Sequence, residues 1–190
     1  MIDSDNVSLS NLQRQILYCS GDIHKKKVFS AQLKLSKLNS DVTIDCYHQR
    51  LSNDNAHEYI SKYDFILDCT DNFESKYLIA EKCKFYNKPY SHGAILKFAG
   101  QTLTVIPGKT ACYRCVFPDM PEQQTARNCS KAGVMGVVPG IIGTIQATEA
   151  IKYFLKLGNL LTDQLLTYDA LNMEFRKVPV SKQRDCFLCN

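Results

Sequence analysis

The sequence predicts an α/β fold, a Rossmann-like, mostly parallel doubly wound sheet that continues into antiparallel strands. Three observations carry this prediction. Strand-like runs alternate with helical patterns through the first half of the chain. Residues 64–69 (DFILDC) form a largely apolar run that ends in a polar cluster, as a strand of a parallel sheet does. Beyond residue 160 the helical pattern gives way to two strand-like segments around a tight turn. With 190 residues, 45% of them hydrophobic, the chain can bury one sizeable core, so a single domain over 1–190 is expected.

The elements follow in order. Apolar residues at Ala31, Leu33, Leu35 and Leu38 make 24–39 a helix. Residues 42–47 alternate as a strand, and 53–62 form a short helix. The 64–69 run reads as a strand buried on both faces. A helix over 73–86 leads through Lys88-Pro89 to a strand at 90–94, and another strand covers 101–106. Residues 117–131 are polar without a clear period and are expected to form a mobile crossover loop. Glycines open the segment 138–157, which closes as an amphipathic helix. Residues 165–168 and 174–178 pair as antiparallel strands around a turn at 169–172.

Composition narrows the function. A charged fraction of 22% with 10 Tyr and 9 Phe is ordinary for a globular protein. The net charge of +4 is mild, and no basic patch is interleaved with aromatics, so nucleic acid is not an expected partner. The densest basic run, Lys25-Lys26-Lys27, opens a helix. No apolar segment approaches the roughly 18–20 residues that span a bilayer, so no membrane role is expected. The opening MIDSDNVSLS has no signal-peptide pattern, which points to the cytoplasm. There, 9 Cys suggest metal binding or catalysis rather than disulfides. Cys19, Cys46, Cys69 and Cys83 fall in core-like or helical positions and read as small hydrophobes.

Cys112 and Cys115 form one CxxC pair, and Cys186 and Cys189 form another. Each knuckle presents two thiolates on one side of a tight turn, and two knuckles together make a closed, structural four-cysteine zinc site. A thioredoxin-type redox pair and two disulfides are the alternatives. The first needs only one pair, and the compartment disfavours the second.

The stretch from Asp3 to Gln15 (DSDNVSLSNLQRQ) resembles the ThiF/MoeB/HesA family, bacterial relatives of ubiquitin-activating enzymes. Lys27, the segment Leu67–Asn72 (LDCTDN), His92-Gly93-Ala94, Cys112-Tyr113-Arg114-Cys115, and the stretch opening at Asn128-Cys129 agree with the family in the same order. The second CxxC completes the set, so the resemblance covers essentially the whole chain. It implies an adenylyltransferase that uses ATP and Mg²⁺ to activate the C-terminal glycine of a ubiquitin-like sulfur-carrier protein with a Gly-Gly tail. It also implies a homodimer and a place in thiamine, molybdopterin or related sulfur-transfer biosynthesis.

By the same resemblance, Arg14 and Lys27 would contact the phosphates, Asn11 would hydrogen-bond one of them, and Asp71 would orient Mg²⁺. Asp3 would bind the ribose, and Cys129 would form a covalent intermediate in those members that use one. The chemistry suits these residue types, because a carboxylate attacking the α-phosphate brings two anions together and needs cations around them. Taken singly, Asp3 and Asn11 read as turn or capping residues, Lys27 as one solvated lysine of three and Arg14 as a surface ion pair; the order of the motifs is what favours the functional roles.

No G-x-G-x-x-G occurs. In nucleotide folds that loop precedes the ribose-binding acid by roughly 20 residues, which counts back from Asp3 to a point upstream of Met1. The chain is therefore expected to be N-terminally incomplete and a weak ATP binder alone. A non-catalytic carrier-binding module of the same family is the alternative, and a nicotinamide-dependent oxidoreductase ranks last.

Overall fold

The computed structural model describes residues 1–121 and 133–189, which fall into two compact units, Met1–Ser52 and Asn53–Asn190. The first unit is built around one helix, α1 (Lys27–Leu38), preceded by 3-10 turns at Leu9–Asn11 and Ser20–Asp22. Helix α1 buries Val28 and Ala31 and leaves Leu33 and Leu38 exposed, so its apolar face is narrower than the sequence pattern implied. Val7 is buried and fixed by backbone bonds to both sides of a turn, Val7 N to Lys25 O at 2.8 Å and His24 N to Val7 O at 2.9 Å. The strand expected over 42–47 reduces to one parallel bridge between Ile2 and Tyr47. Val42 is exposed, and beside the Tyr47 bonds to Met1 and Asp3 the N-terminal amino group reaches Asp45 O, so the alternation has no regular ladder to act on.

The second unit carries α2 (Ala56–Ile60), β1 (Ile66–Asp68), α3 (Phe73–Phe85), β2 (Tyr90–Leu96), β3 (Ala99–Val105) and α4 (Tyr113–Val116). After the undescribed residues follow α5 (Val137–Leu155), β4 (Gln164–Asp169) and β5 (Glu174–Pro179). The five strands form one sheet in the order β1-β2-β3-β4-β5. The pair β1–β2 is parallel, from Ile66 opposite Tyr90 to Asp68 opposite His92, and the remaining pairs are antiparallel. The expected α/β class and the turn from parallel to antiparallel pairing are both present.

Strand β1 differs from its expectation in burial. Among the described residues it pairs only with β2, and Leu67 is exposed while Asp68 is buried. A strand at the end of a sheet has one free side, which an apolar run in the sequence does not reveal.

Helix α5 lies across β2 and β3. Its buried positions, Val138, Ile142, Gln146 and Glu149, follow the helical spacing of one face. Val138 and Ile142 meet Tyr168 of β4 in the core. The approach is close because two strand positions are glycines: a Cβ on Gly93 would lie 2.3 Å from Gln146 Oε1, and one on Gly100 would lie 2.4 Å from Ile142 Cγ1. The helix ends at Lys156, which takes the left-handed conformation that stops a helix. The β4–β5 turn is closed by Asp169, whose Oδ1 accepts from Leu171 N at 2.9 Å.

Residues 117–121 are the described part of the crossover segment. Tyr77 Oη on α3 lies 2.9 Å from Phe117 O and 2.6 Å from Asp119 O, which share its one proton. Arg114 Nη1 donates to Pro118 O at 3.0 Å while its guanidinium lies over the Tyr77 ring. The remainder of 117–131, including Cys129, lies outside the described residues.

The Gly100 contact makes a direct prediction. Gly100→Ala forces buried Ile142 off its seat and lowers unfolding stability by about 1–3 kcal/mol, measurable by urea denaturation. An unchanged midpoint would show that α5 can lift without loss.

Candidate functional site

The two cysteine knuckles converge. The four sulfurs of Cys112, Cys115, Cys186 and Cys189 all lie within 4.8 Å of one another. Neighbouring pairs are closer, with Cys112–Cys115 at 3.7 Å, Cys112–Cys186 at 3.5 Å and Cys115–Cys189 at 3.5 Å. A metal–sulfur distance of about 2.3 Å in a tetrahedron gives sulfur–sulfur edges of about 3.8 Å. The edges found are close to that value and far from the roughly 2.05 Å of a disulfide.

Local backbone turns hold both knuckles, with Cys115 N bonded to Cys112 O at 3.0 Å and Cys189 N to Cys186 O at 3.1 Å. Gln183 N points at Cys115 Sγ from 3.5 Å, an outer contact of the kind that steadies a thiolate ligand. Burial pushes the Cys112 thiol up, so a cation is what would hold such a cluster as thiolates. The four cysteines are therefore positioned to hold a metal ion.

A second cluster surrounds Asp68, at the end of β1. Asp68, His92, Lys76 and Gln146 are all buried. Asp68 Oδ2 receives Lys76 Nζ at 3.2 Å and faces His92 Nδ1 at 2.9 Å. Its Oδ1 accepts from Thr70 N at 3.0 Å and from Thr70 Oγ1 at 2.7 Å. Lys76 Nζ also donates to Gly93 O at 2.6 Å. Gln146 Nε2 donates to Asp68 O and Ser91 O, each at 3.0 Å. Burial pushes the Asp68 carboxyl up, but His92 and Lys76 outweigh it and hold it at about 2. Burial lowers His92 below its ordinary 6.5 against the pull of Asp68, so His92 is neutral. Its Nδ1–H then donates to the carboxylate, and Nε2 is left without a hydrogen-bond partner against the Tyr113 ring, 4.7 Å between centroids.

Reasoning from sequence missed this cluster as a unit. Asp68 and His92 appeared in motifs, but Lys76 and Gln146 went unremarked. The available signal was spacing, since Lys76 stands on the same face of α3 as Ile79, Ala80 and Cys83, where a lysine needs a buried partner.

The nucleotide candidates fall in different units. In the first unit, Lys27 Nζ lies 2.8 Å from Asp5 Oδ2 and 3.8 Å from Asp3 Oδ2, so Lys27 and Asp3 come together. Lys27 is buried along its stem and is not one solvated lysine of three. Asp3 also accepts from Asp5 N at 2.7 Å. Asn11 is buried and its Oδ1 accepts from Ser8 N at 3.1 Å, while Arg14 Nη1 reaches Ser10 O at 3.1 Å. Both side chains brace the turn at Leu9–Asn11.

In the second unit, Asp71 is exposed. It sits between Thr70, tied to Asp68, and Asn72, whose side chain caps α3 by accepting from Ser75 N at 2.9 Å. Of the four other described cysteines, Cys83 is buried as expected, but Cys19 and Cys69 are exposed and Cys46 is half-buried.

The ThiF family matches residues 1–188. Over its whole length the chain is 43% identical to the SAMP-activating enzyme E1 of Haloferax volcanii, spanning 70% of that protein. It is 38% identical to the sulfur carrier protein adenylyltransferase of Thermus thermophilus, spanning 72% of it. Against the adenylyltransferase and sulfurtransferase MOCS3 of Drosophila sechellia the identity is 39%, and the chain spans 42% of that protein. Among solved structures, E. coli MccB with ATP superposes with a TM-score of 0.86 at 20% identity, covering all of this chain and 58% of MccB. The microcin C7 biosynthetic enzyme MccB with N-formylated MccA gives 0.87 at 19%, covering 59% of that chain. At such identities the structural likeness shows the fold alone. No helix among the described residues is long and apolar enough to cross a membrane.

The Asp68 cluster makes stability depend on pH. The Asp68 value is below its ordinary 3.8, so its contribution is complete above about pH 4 and is lost as pH falls through about 2. The His92 value is also lowered, so the unfolded chain takes up that proton first and stability falls as pH drops below about 6.5. The urea midpoint should therefore decline from pH 7 to pH 5, and His92→Asn should flatten that decline. A wild-type midpoint independent of pH across this range would contradict the assignment.

Proposed function

Because this chain belongs to the ThiF family, we propose that it adenylates the C-terminal glycine of a ubiquitin-like sulfur-carrier protein at the expense of ATP. The observation that carries the reading is the whole-chain identity of 43% to an E1-type activating enzyme, supported by 38% to a sulfur carrier protein adenylyltransferase. The carrier's terminal carboxylate oxygen attacks the α-phosphorus of ATP, the bond to the β-phosphate oxygen breaks, and pyrophosphate leaves. Arg14 and Lys27 stabilise the charge that gathers on the phosphates. Lys27 is held ready by Asp3 and Asp5, and the pair to Asp5 is weak enough to exchange because that carboxylate is well exposed.

Asn11 shapes the turn that presents Arg14, and Asp3 serves the ribose. Asp71, exposed on a turn pinned at both ends, offers its carboxylate to the Mg²⁺ that accompanies ATP. Cys129 is the candidate for a covalent step on the acyl-adenylate. The four-cysteine cluster takes Zn²⁺ in a structural role, because a closed set of four thiolates leaves no open coordination position.

The protein works in the cytoplasm, where its thiols stay reduced, within the sulfur-transfer chemistry that serves thiamine, molybdopterin or related products. Its carrier ends in Gly-Gly. A homodimer is supported by the outward side of α5, where Val137, Ile151, Phe154 and Leu155 are exposed.

Three outcomes test the reading. Mixing the protein with ATP at a concentration that saturates even a weak site, Mg²⁺ and a Gly-Gly-tailed ubiquitin-like carrier should give carrier-dependent ATP–pyrophosphate exchange. Arg14→Ala and Asp71→Asn should each lower it roughly 10²–10³-fold with little change in Tm. A protein that binds the carrier without any exchange would establish the non-catalytic binding module instead. Elemental analysis should find one zinc per chain, and Cys186→Ser should remove it and lower Tm by roughly 10 °C.

A further inference from the structure

We propose that the buried Asp68–Lys76–His92 cluster is a positioning device for Asp71, setting where that exposed carboxylate stands through the hydroxyl of Thr70. This rests on the reading of Asp71 as the Mg²⁺ carboxylate, but its geometric part stands by itself. Asp71 has no hydrogen bond of its own among the described residues, so its place is inherited from its neighbours. On one side Asn72 caps α3 through Ser75 N at 2.9 Å. On the other, Thr70 makes two bonds to a single oxygen of Asp68, at 3.0 Å from its N–H and 2.7 Å from its hydroxyl.

Asp68 cannot shift to follow a relaxed turn. Its other oxygen is held by Lys76 of α3 at 3.2 Å and by His92 of β2 at 2.9 Å. Its backbone carbonyl is held by Gln146 of α5 at 3.0 Å. Three elements thus converge on the residue three places before Asp71. The ties from Lys76 and His92 to the carboxylate are buried and those from Thr70 are part-buried; inside, an unmet charge is costly and a met one is rigid. The Gly93 position is part of the same device, because its carbonyl takes Lys76 Nζ at 2.6 Å and its missing Cβ admits Gln146.

Thr70 is the residue that transmits the position, and it can be altered without leaving a buried charge unpaired. Thr70→Val keeps the shape and the backbone bond but removes the hydroxyl. Thr70→Ser restores the hydroxyl. In Thr70→Val, hydrogen–deuterium exchange of the peptide covering 69–72 should rise roughly tenfold, the worth of one hydrogen bond to a charged group, while β3 and α5 exchange as in wild type. The Mg²⁺ concentration for half-maximal ATP–pyrophosphate exchange should rise several-fold with Tm nearly unchanged. Thr70→Ser should return both to wild type.

Unaltered exchange at 69–72 in Thr70→Val, or an equal disturbance in Thr70→Ser, overturns the proposal. A wild-type protein without ATP–pyrophosphate exchange overturns the functional reading alone, since the amide measurement still decides whether the cluster holds the turn.

Discussion

The ion pair between Asp68 and Lys76 is the constraint on which the second unit turns. Strand β1 is three residues long and pairs only with β2 among the described residues, so few backbone bonds hold it. Its last residue carries a buried carboxylate, and removing that charge from water is favourable only with several donors in place. Lys76 supplies the opposite charge, His92 and Thr70 supply the remaining donors, and Gln146 fixes the carbonyl. The result ties β1, α3, β2 and α5 at one point. A short strand is thereby placed by side chains where its ladder alone would leave it loose.

The same arrangement explains how far the sequence could be read. The two CxxC pairs were legible because each is a local turn whose geometry four residues determine. Helices α1, α3 and α5 were legible within a few residues from their spacing. The run 64–69 was correctly a strand, yet its burial was not, because apolarity in a sequence does not say whether a neighbour lies on both sides. The segment 42–47 had the alternation of a strand and lacked a ladder, which is a property of the partner and not of the segment. Cys19 and Cys69 sat in patterns that suggested burial and are exposed. Lys76 was the residue whose placement on an apolar face carried the most information, and its meaning depends on Asp68 eight positions away and His92 on another strand.

The residues proposed to bind and those that brace are differently built. Asp71 is exposed between Thr70 and Asn72, whose side chains are both hydrogen-bonded, and Arg14 reaches a local carbonyl. Asp68, Lys76, His92 and Gln146 lie inside with nearly every polar atom committed, and three of the four clustered cysteines are buried while Cys189 is half-buried. His92 Nε2 is the exception, a buried atom without a partner beside the Tyr113 ring. Tyr113 follows Cys112 directly, so the aromatic cover of His92 hangs from the first cysteine knuckle.

The spacing of that cysteine set also constrains the order in which the molecule can be finished. Cys112 and Cys186 are 74 positions apart, as are Cys115 and Cys189, so the first knuckle leaves the ribosome long before its counterpart. During that interval it can offer two thiolates, a partial and readily surrendered seat for a metal. Strands β4 and β5 are made in the meantime, and the pairing of β4 with β3 and of β5 with β4 carries the chain back toward the waiting knuckle before the second one arrives. Closing so long a loop by chance is entropically slow. A sheet that has already formed shortens the search, and the four cysteines it brings together are then positioned to hold a metal ion.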